Sequence, residues 1–276
     1  MTIAARSILF VPGDRAERFE KARASGADMV VIDLEDAVLP DRKIAARDAV
    51  HDALASLDEP RFVVRVNSLD TDWHADDVRA LAALPGVAGL MLPKAEGAGS
   101  VAALAARAGL PILPVATETP AAIFQLGSYA SVAPHLAGLT WGAEDLPAAI
   151  GASTAREADG GYTAPYQLAR TLTLFGAHAA GVAAIETVFP DFRDLDALAA
   201  YAARGRRDGF TGMMAIHPAQ VPVINAAFTP SDAERAAAQA IVDLFAANPG
   251  AGALQLDGRM VDAPHLKQAR RILGLA

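Results

Sequence analysis

Cysteine is absent from the 276 residues of this chain. The chain can therefore form no disulfide, no thiolate metal site and no cysteine nucleophile. Aromatic residues are also scarce, at 6%, whereas hydrophobic residues make up 53% and are mostly alanine, valine and leucine. This composition is typical of an α/β core covered by alanine-rich helices, and the length suits one large α/β domain or two ordinary ones.

Blocks of basic residues and long apolar runs are missing as well. The formal net charge is −8, without a Lys/Arg cluster, so nucleic-acid binding has little support. No apolar run is long enough to span a bilayer, and residues 1–7 lack the apolar segment of a secretory signal. We therefore expect a cytoplasmic protein without nucleic-acid or membrane partners, in which a few local basic groups and backbone amides would bind any phosphate-bearing ligand.

Eight short apolar segments, each followed by a helical stretch, precede residue 228. They cover residues 7–11, 29–32, 61–67, 89–92, 110–115, 136–139, 183–185 and 213–216. Their spacing of roughly 25–30 residues fits a (β/α)8 TIM barrel, although the alternation also permits a doubly wound open sheet. We predict the barrel, an α/β fold, because the segments number eight and nearly all end in polar residues. In a barrel all eight strand ends face one active site.

The pattern changes after residue 228. Ser231 and Glu234 are spaced as a capping box at the start of a helix. The tight turn Asp257-Gly258 then predicts a hairpin, and a last helix follows it. We therefore predict two parts, a (β/α)8 barrel catalytic domain over residues 1–228 and a C-terminal helix–hairpin–helix lid over residues 229–276.

Two acidic clusters lie where the fifth and sixth strands should end. Glu118 belongs to the first cluster, and Glu144 and Asp145 belong to the second. Carboxylates at the ends of successive parallel strands can converge on one point, and a hard divalent cation is the usual reason. Acidic residues also favour the first turns of helices, so helix N-caps remain the alternative.

Acidic side chains outnumber basic ones at the predicted strand ends. The polar residues at these ends are Asp33, Glu35, Asp36, Arg65, Asn67, Lys94, Glu118, Glu144, Asp145, Glu186 and His217. Carboxylates around one cavity repel each other unless a cation lies among them. Mg²⁺ takes one or two protein carboxylates and leaves its other positions to water and substrate. Glu118 and Asp145 match that sparse use.

Each of the other candidates has a structural explanation beside the functional one. Arg65 suits a clamp for a substrate carboxylate or oxyanion because its planar fork binds bidentately, yet it could instead pair with a carboxylate of residues 33–36. Those carboxylates could be a solvated helix start, Lys94 a surface residue, and His217 a packing residue. Asp262 could be the N-cap of the last helix or a base on a mobile arm that closes over the barrel mouth.

A set of short motifs runs through nearly the whole chain. They are Arg6-Ser7-x-Leu9-Phe10-Val11-Pro12-Gly13, Asp33-Leu34-Glu35-Asp36-Ala37-Val38, Arg65-Val66-Asn67, Pro93-Lys94, Glu118-Thr119, Gly142-x-Glu144-Asp145, Gly209-Phe210-x-Gly212, Ile216-His217-Pro218-x-Gln220 and Gly258-x-Met260-Val261-Asp262-x-Pro264. In this order they resemble the motifs of the citrate lyase β-subunit-like CoA-ester lyases. That group belongs to the HpcH/HpaI aldolase family and includes the malyl-CoA lyases.

The resemblance implies a Mg²⁺-dependent (β/α)8 barrel that forms a trimer or a hexamer of trimers. Such enzymes cleave or form the C–C bond between an acyl-CoA enolate and a 2-oxo acid, and some hydrolyse the thioester. Carried over to this chain, Glu118 and Asp145 hold Mg²⁺, and Arg65 binds the oxo-acid oxygens. Asp262 enters a neighbouring subunit's site and moves the proton at the acyl-CoA α-carbon. The other expected substrate-binding residues are Asp33, Glu35, Asp36, Lys94, Glu118 and, through backbone amides, Gly142, Ala143 and Glu144.

Two positions depart from the family pattern. Met213 and Met214 follow Gly212, where a lysine is frequent, so any CoA or anion contact from that position is in question. Glu186 replaces the usual aspartate and is expected to alter the size of the pocket.

We predict cleavage of a carboxylated 3-hydroxyacyl-CoA, of the citryl-, malyl- or citramalyl-CoA type, to an acyl-CoA and an oxo acid, with thioesterase activity as a variant. One alternative is a CoA-independent Mg²⁺-dependent aldolase acting on a hydroxy-oxo acid. Another is a β subunit that acts on an acyl-carrier-protein thioester within a complex.

Overall fold

Eight parallel strands form the sheet of the first of two compact units into which the chain divides, between Phe228 and Thr229. The computed structural model describes residues 5–275. The strands are β1 (Ser7–Pro12), β2 (Met29–Asp33), β3 (Phe62–Arg65), β4 (Val87–Leu92), β5 (Ile112–Pro114), β6 (Gly138–Thr140), β7 (Ala183–Glu186) and β8 (Gly212–Ala215). All eight coincide with the apolar segments of the sequence to within three residues at either end.

The sheet closes on itself. Hydrogen-bonded neighbours follow the order β5-β4-β3-β2-β1-β8-β7-β6. Between β5 and β6 the contact narrows to two isolated parallel bridges, Ile112 with Leu136 and Val115 with Thr140. Backbone hydrogen bonds from Ala137 N to Ile112 O (2.8 Å) and from Ala116 N to Thr140 O (2.9 Å) complete this seam. The predicted (β/α)8 barrel is therefore confirmed.

Alternate residues of each strand pack on opposite faces of the barrel wall. Ile8, Val31 and Val63 belong to a core inside the barrel, whereas Leu9, Val30 and Val64 belong to a larger core beneath the helices. Because both faces are buried, the strands are nearly continuous apolar runs, as expected for a parallel sheet. These continuous apolar runs are the reason that the sequence alone predicts the strands.

Nine α-helices accompany these strands within the described residues. They are α1 (Phe19–Arg23), α2 (Lys43–Ala55), α3 (His74–Leu81), α4 (Ala98–Ala108), α5 (Pro120–Ile123), α6 (Asp145–Ile150), α7 (Ala164–Ala180), α8 (Leu195–Asp208) and α9 (Gln220–Phe228). Short 3₁₀ segments cover Ala16–Arg18 and Pro40–Arg42. Asp194 caps α8 by accepting from Ala197 N (2.9 Å), and Gly209 ends it with φ of 116°.

The helical stretch between the fifth and sixth strands is irregular. The connection contains the four-residue α5 and then a 3₁₀ segment, Leu126–His135, that is broken at Val132. Pro134 lies inside this segment, where it removes one backbone donor and prevents a regular α-helix.

The second unit contains two helices and a hairpin. They are α10 (Asp232–Ala247), β9 (Ala253–Leu256), β10 (Arg259–Asp262) and α11 (Ala263–Ile272). Ser231 and Glu234 form the capping box that opens α10. Asp257 and Gly258 both have positive φ, 48° and 77°, as a tight two-residue hairpin turn requires. A search of the helices within residues 5–275 finds none with the length and apolar character of a membrane span.

Candidate active site

A cavity of about 400 Å³ lies at the carboxyl ends of the barrel strands. Its polar wall is formed by residues that end a strand or follow one, namely Asp33, Asp36, Arg65, Glu118, Glu144 and Asp145. Gly142 and Ala143 also line it. The cavity therefore brings together both acidic clusters and the arginine that the sequence singled out.

Arg65 is held by carboxylates of the neighbouring strand and its loop. Asp33 and Arg65 are register partners in the β2–β3 ladder, so their side chains lie on the same face. The Arg65 Nε and Nη2 atoms each donate to one Asp33 oxygen at 2.7 Å. Nη1 lies 3.1 Å from Glu35 Oε2, and the guanidinium stands 5.1 Å from the centre of the Phe10 ring. Arg65 thus forms the ion pair that was the alternative to a substrate clamp, and it also borders the cavity.

Asp33 organises the loop after β2. Its oxygens also accept from the backbone N atoms of Glu35 (2.9 Å) and Ala37 (3.1 Å). Burial alone would raise the pKa of Asp33, but the Arg65 charge and these hydrogen bonds outweigh it and hold the pKa below its ordinary value. The alternative of a freely solvated helix start is wrong for the buried Asp33 and Glu35, whereas Asp36 is exposed at the cavity wall.

Lys94 connects the two acidic clusters, and the alternative of a surface lysine is wrong. Its Nζ atom contacts the Glu35 carboxylate and lies 3.3 Å from Asp145 Oδ1. Its backbone N donates to Glu118 Oε2 at 2.6 Å. Burial lowers the pKa of Lys94, but the hydrogen bond and charge of Glu35 outweigh burial and leave the pKa raised. Lys94 and Glu35 are not among the residues that line the cavity.

Glu118 is 5% exposed, and its carboxyl faces other carboxylates. Burial is the main reason that its pKa is raised to about 7. The hydrogen bond from Lys94 N opposes the shift, and the charge of Asp145 adds to it. A Cβ at Gly142 would lie 2.8 Å from Glu118 Cγ, so only glycine fits beside this side chain. The Thr117 hydroxyl fixes Gly142 by accepting from its N (3.0 Å) and donating to its O (2.9 Å).

The charges of this cluster leave room for a divalent cation. Four carboxylates (Asp33, Glu35, Glu118 and Asp145) face two cations (Arg65 and Lys94), which leaves a formal charge of −2 when all are ionised. Within residues 5–275 no group of three or more histidine or acidic side chains is arranged as a metal site. Glu118 and Asp145 alone would be the protein ligands, and two carboxylates are a normal protein contribution for Mg²⁺. The residues therefore fit that ion.

Two residues that depart from the family pattern, Glu186 and Met213, lie together outside the cavity, whereas Met214 lines it. Glu186 and Met213 are register partners in the β7–β8 ladder, and Met213 packs in the core beneath the helices. The Glu186 carboxylate accepts from Trp141 Nε1 (2.6 Å), Arg170 Nε (2.7 Å) and the Tyr201 hydroxyl (3.0 Å). Glu186 is therefore not a lining residue of the cavity, and its expected effect on the size of the pocket stays a prediction. Met213 offers no ligand contact from its place in the core.

Two further sequence candidates, Asn67 and His217, are not among the residues that line the cavity. The Asn67 backbone and side-chain N atoms both donate to Asp77 Oδ2, at 2.9 and 2.7 Å. His217 stacks on Phe192 with 4.9 Å between ring centres. Asp262, in the second unit, is the N-cap of α11, and its Oδ1 lies 2.5 Å from His265 Nδ1.

Sequence reasoning missed the apolar part of the cavity. Phe10, Val115, Thr187, Val188, Met214 and Ile216 line it. Strand alternation could have found two of them. Phe10 lies two residues after the inward-facing Ile8 on the same strand, and Met214 is the partner of Ile8 on the neighbouring strand. Thr187 and Val188 follow β7 and carried no comparable signal.

These features define a (β/α)8-barrel protein whose strand ends converge on an acidic cavity. The sequence profile of HpcH/HpaI aldolase/citrate lyase matches residues 6–218. The chain belongs to this family, as the motifs of the sequence predicted.

Relatives resemble the chain over almost its full length. A citrate lyase subunit beta-like protein of Mycobacterium tuberculosis is 40% identical over 267 residues, covering 96% of this chain and 93% of the relative. A (3S)-malyl-CoA thioesterase of Cereibacter sphaeroides is 35% identical over 279 residues, covering 98% and 94%. The crystal structure of CitE from M. tuberculosis in complex with magnesium, acetoacetate and coenzyme A has a TM-score of 0.87 and 37% identity, covering 100% of this chain and 99% of that one.

Proposed function

We propose that this protein is a Mg²⁺-dependent C–C lyase acting on a carboxylated 3-hydroxyacyl-CoA of the citryl-, malyl- or citramalyl-CoA type. The products are an acyl-CoA and an oxo acid, and the reverse condensation uses the same site. The observation that carries this proposal is the convergence of Glu118 and Asp145 on one cavity whose linked charged groups sum to −2. The magnesium, acetoacetate and coenzyme A bound by the M. tuberculosis relative support it.

Glu118 and Asp145 would hold the metal. Bound Mg²⁺ supplies Lewis-acid stabilisation to the hydroxyl and carboxylate oxygens of the substrate. Arg65 supports the same oxygens with the donors that Asp33 and Glu35 leave unused, and its raised pKa keeps it charged although it is buried. Gly142, Ala143 and Glu144 line the cavity, and their backbone amides would bind the oxo-acid carboxylate.

Proton transfer at the α-carbon is assigned to Asp262 of a neighbouring subunit in a trimer or hexamer. Hydrogen bonding to His265 is the main reason that the pKa of Asp262 is lowered, so the carboxylate is ionised and can accept a proton during condensation. In the cleavage direction the C–C bond breaks to give the thioester enolate. The hydroxyl proton of the substrate leaves to solvent as the carbonyl of the oxo acid forms, and Asp262, after taking up a proton from solvent, passes that proton to the enolate.

A groove beside the cavity suits the phosphate-bearing end of coenzyme A. The groove has a volume of about 310 Å³ and shares Phe10, Val11, Pro12 and Ile216 with the cavity. Arg18 and Lys21 are its cationic lining residues, and no carboxylate belongs to the same lining. An apolar floor with two cations at the rim matches a thioester chain that ends in phosphates.

The test is an assay of purified protein with Mg²⁺ and malyl-, citramalyl- or citryl-CoA, with products identified by mass spectrometry. We expect equal amounts of acyl-CoA and oxo acid. Free CoA together with an intact hydroxy acid would indicate thioesterase activity, as in the name of the Cereibacter relative. Turnover of free hydroxy-oxo acids alone would favour the CoA-independent aldolase, and turnover only of carrier-linked thioesters would favour a β subunit within a complex.

A further inference from the structure

Lys94 holds both proposed metal ligands through two different groups. Its backbone N donates to Glu118 Oε2 at 2.6 Å, and its ammonium lies 3.3 Å from Asp145 Oδ1. The first contact survives any substitution of the side chain, whereas the second depends on the positive charge. The two contributions can therefore be separated by mutation.

The backbone of Lys94 is in an unusual conformation. Its φ is 50°, and Lys94 and Asp257 are the two non-glycine residues with positive φ in the described part of the chain. Asp257 lies in a tight turn, where that conformation is ordinary. Lys94 instead follows the end of β4, and Ala95 N bonds Val115 O at 3.2 Å, joining it to the β5 end. Such conformations persist where the surroundings fix them, and they concentrate at functional sites.

The Lys94 ammonium has a second carboxylate that can retain it. Glu35 contacts Nζ through Oε1, and its Oε2 lies 3.1 Å from Arg65 Nη1. The Glu35 side chain is 7% exposed, whereas Asp145 is 31% exposed beside the cavity. The buried Glu35 is therefore the permanent partner, and the contact with the more accessible Asp145 is the one that a competing cation can break.

We infer that the Lys94 ammonium is an internal counter-cation that neutralises Asp145 in the metal-free protein and yields it to Mg²⁺. This inference rests on the proposed metal site formed by Glu118 and Asp145. Two cations that share one carboxylate repel each other, and the repulsion is large at these separations inside a protein. Lys94 therefore stabilises the metal-free protein and weakens Mg²⁺ binding, which keeps the ion exchangeable. A lysine that only supported the ligands would strengthen binding.

The experiment uses the full-length protein with Lys94→Met, which removes the ammonium but keeps an unbranched side chain and the backbone N–H. Isothermal titration with Mg²⁺ should show about tenfold tighter binding in the variant than in the wild type. The melting temperature in excess chelator should fall by several degrees, and saturating Mg²⁺ should remove most of that difference. Lys94→Gln should change both quantities in the same directions and serves if the methionine variant fails to fold.

Lys21→Met is the matched control, because Lys21 is exposed and no ion pair or hydrogen bond of its side chain is present among residues 5–275. It should leave Mg²⁺ affinity unchanged. Equal or weaker Mg²⁺ binding by both Lys94 variants, with normal binding by wild type, would overturn the inference and leave the proposed function intact. Absence of Mg²⁺ binding by the wild type would instead remove the metal site from the proposed function, and this inference with it.

Discussion

At the scale of single residues, the site depends on a glycine, Gly142, as well as on its charged side chains. Gly142 lies so close to Glu118 that a Cβ would approach Cγ to 2.8 Å and Oε1 to 2.9 Å. Gly142→Ala should therefore displace the Glu118 carboxylate and weaken Mg²⁺ binding by about tenfold or more. Titration calorimetry measures the change. Gly99→Ala is the control, because a Cβ at that helical position meets no atom within 4 Å, and its affinity should match that of wild type.

The Glu118 carboxyl makes the stability of the metal-free protein depend on pH. Its folded-state pKa of about 7 lies above the ordinary value of 4.5, so the folded state binds the extra proton between these limits. The stabilisation is fully present below pH 4.5 and is lost as the pH rises through 7, a change of up to about 3 kcal/mol.

Denaturant unfolding in excess chelator at several pH values should show this decline. Glu118→Gln should make the profile flatter, although a slope from Glu35 will remain because burial raises its pKa in the same direction. A profile for Glu118→Gln as steep as that of wild type would contradict the assignment.

At the scale of elements, the first strand and the segment after it border both proposed ligand surfaces, the cavity and the groove. Phe10, Val11 and Pro12 of β1 line both the cavity and the groove, and Arg18 and Lys21 follow in the next helical segment. Replacing both cations with glutamine should raise the KM for an acyl-CoA substrate about tenfold and change kcat little.

A matched pair of substrates gives the control for this prediction. The same acyl group on pantetheine lacks the nucleotide phosphates, so its KM should be the same for wild type and the double variant. An equal loss with both substrates would show that the groove does not bind phosphate. Arg79→Gln, on the exposed face of α3, should change neither KM.

The sequence predicted elements well and side-chain partners less well, for a physical reason. Because both faces of each strand are buried, the strands appear in the sequence as apolar runs. The bounds of α8 follow from its N-cap Asp194 and from Gly209, which ends it. The bidentate ion pair between Arg65 and Asp33 depends on the register between β2 and β3, and no local sequence pattern encodes that register. Whether the Glu186 side chain faces the inside or the outside of the barrel depends on the exact position at which the short strand β7 begins. A shift of one residue would move the side chain to the other face.

At the scale of the whole molecule, the proposed role of Asp262 makes activity a property of the oligomer. Glu118→Gln and Asp262→Asn should each abolish lyase activity. Mixed oligomers formed by unfolding and refolding the two variants together should regain activity, because some sites then combine an intact Glu118 with an intact Asp262 of the partner. For random assembly about a quarter of the sites are complete. Light scattering on each variant checks that assembly itself is unchanged, and inactive mixtures of normal size would exclude a shared site.

The narrow seam between β5 and β6 has a consequence for how the barrel opens. The other neighbouring strands form ladders of at least two consecutive partner pairs, but here two isolated bridges hold the wall together, and the loops bearing Glu118 and Asp145 begin at its upper end. Local opening of the wall should therefore start at this seam. A metal ion bound by both loops would stabilise the closed seam. Amide hydrogen exchange at Ala116 and Ala137 should slow on addition of Mg²⁺ more than exchange within the β1–β2 ladder. The rate of amide hydrogen exchange at the seam would then report whether the metal site is occupied, even when no substrate is present.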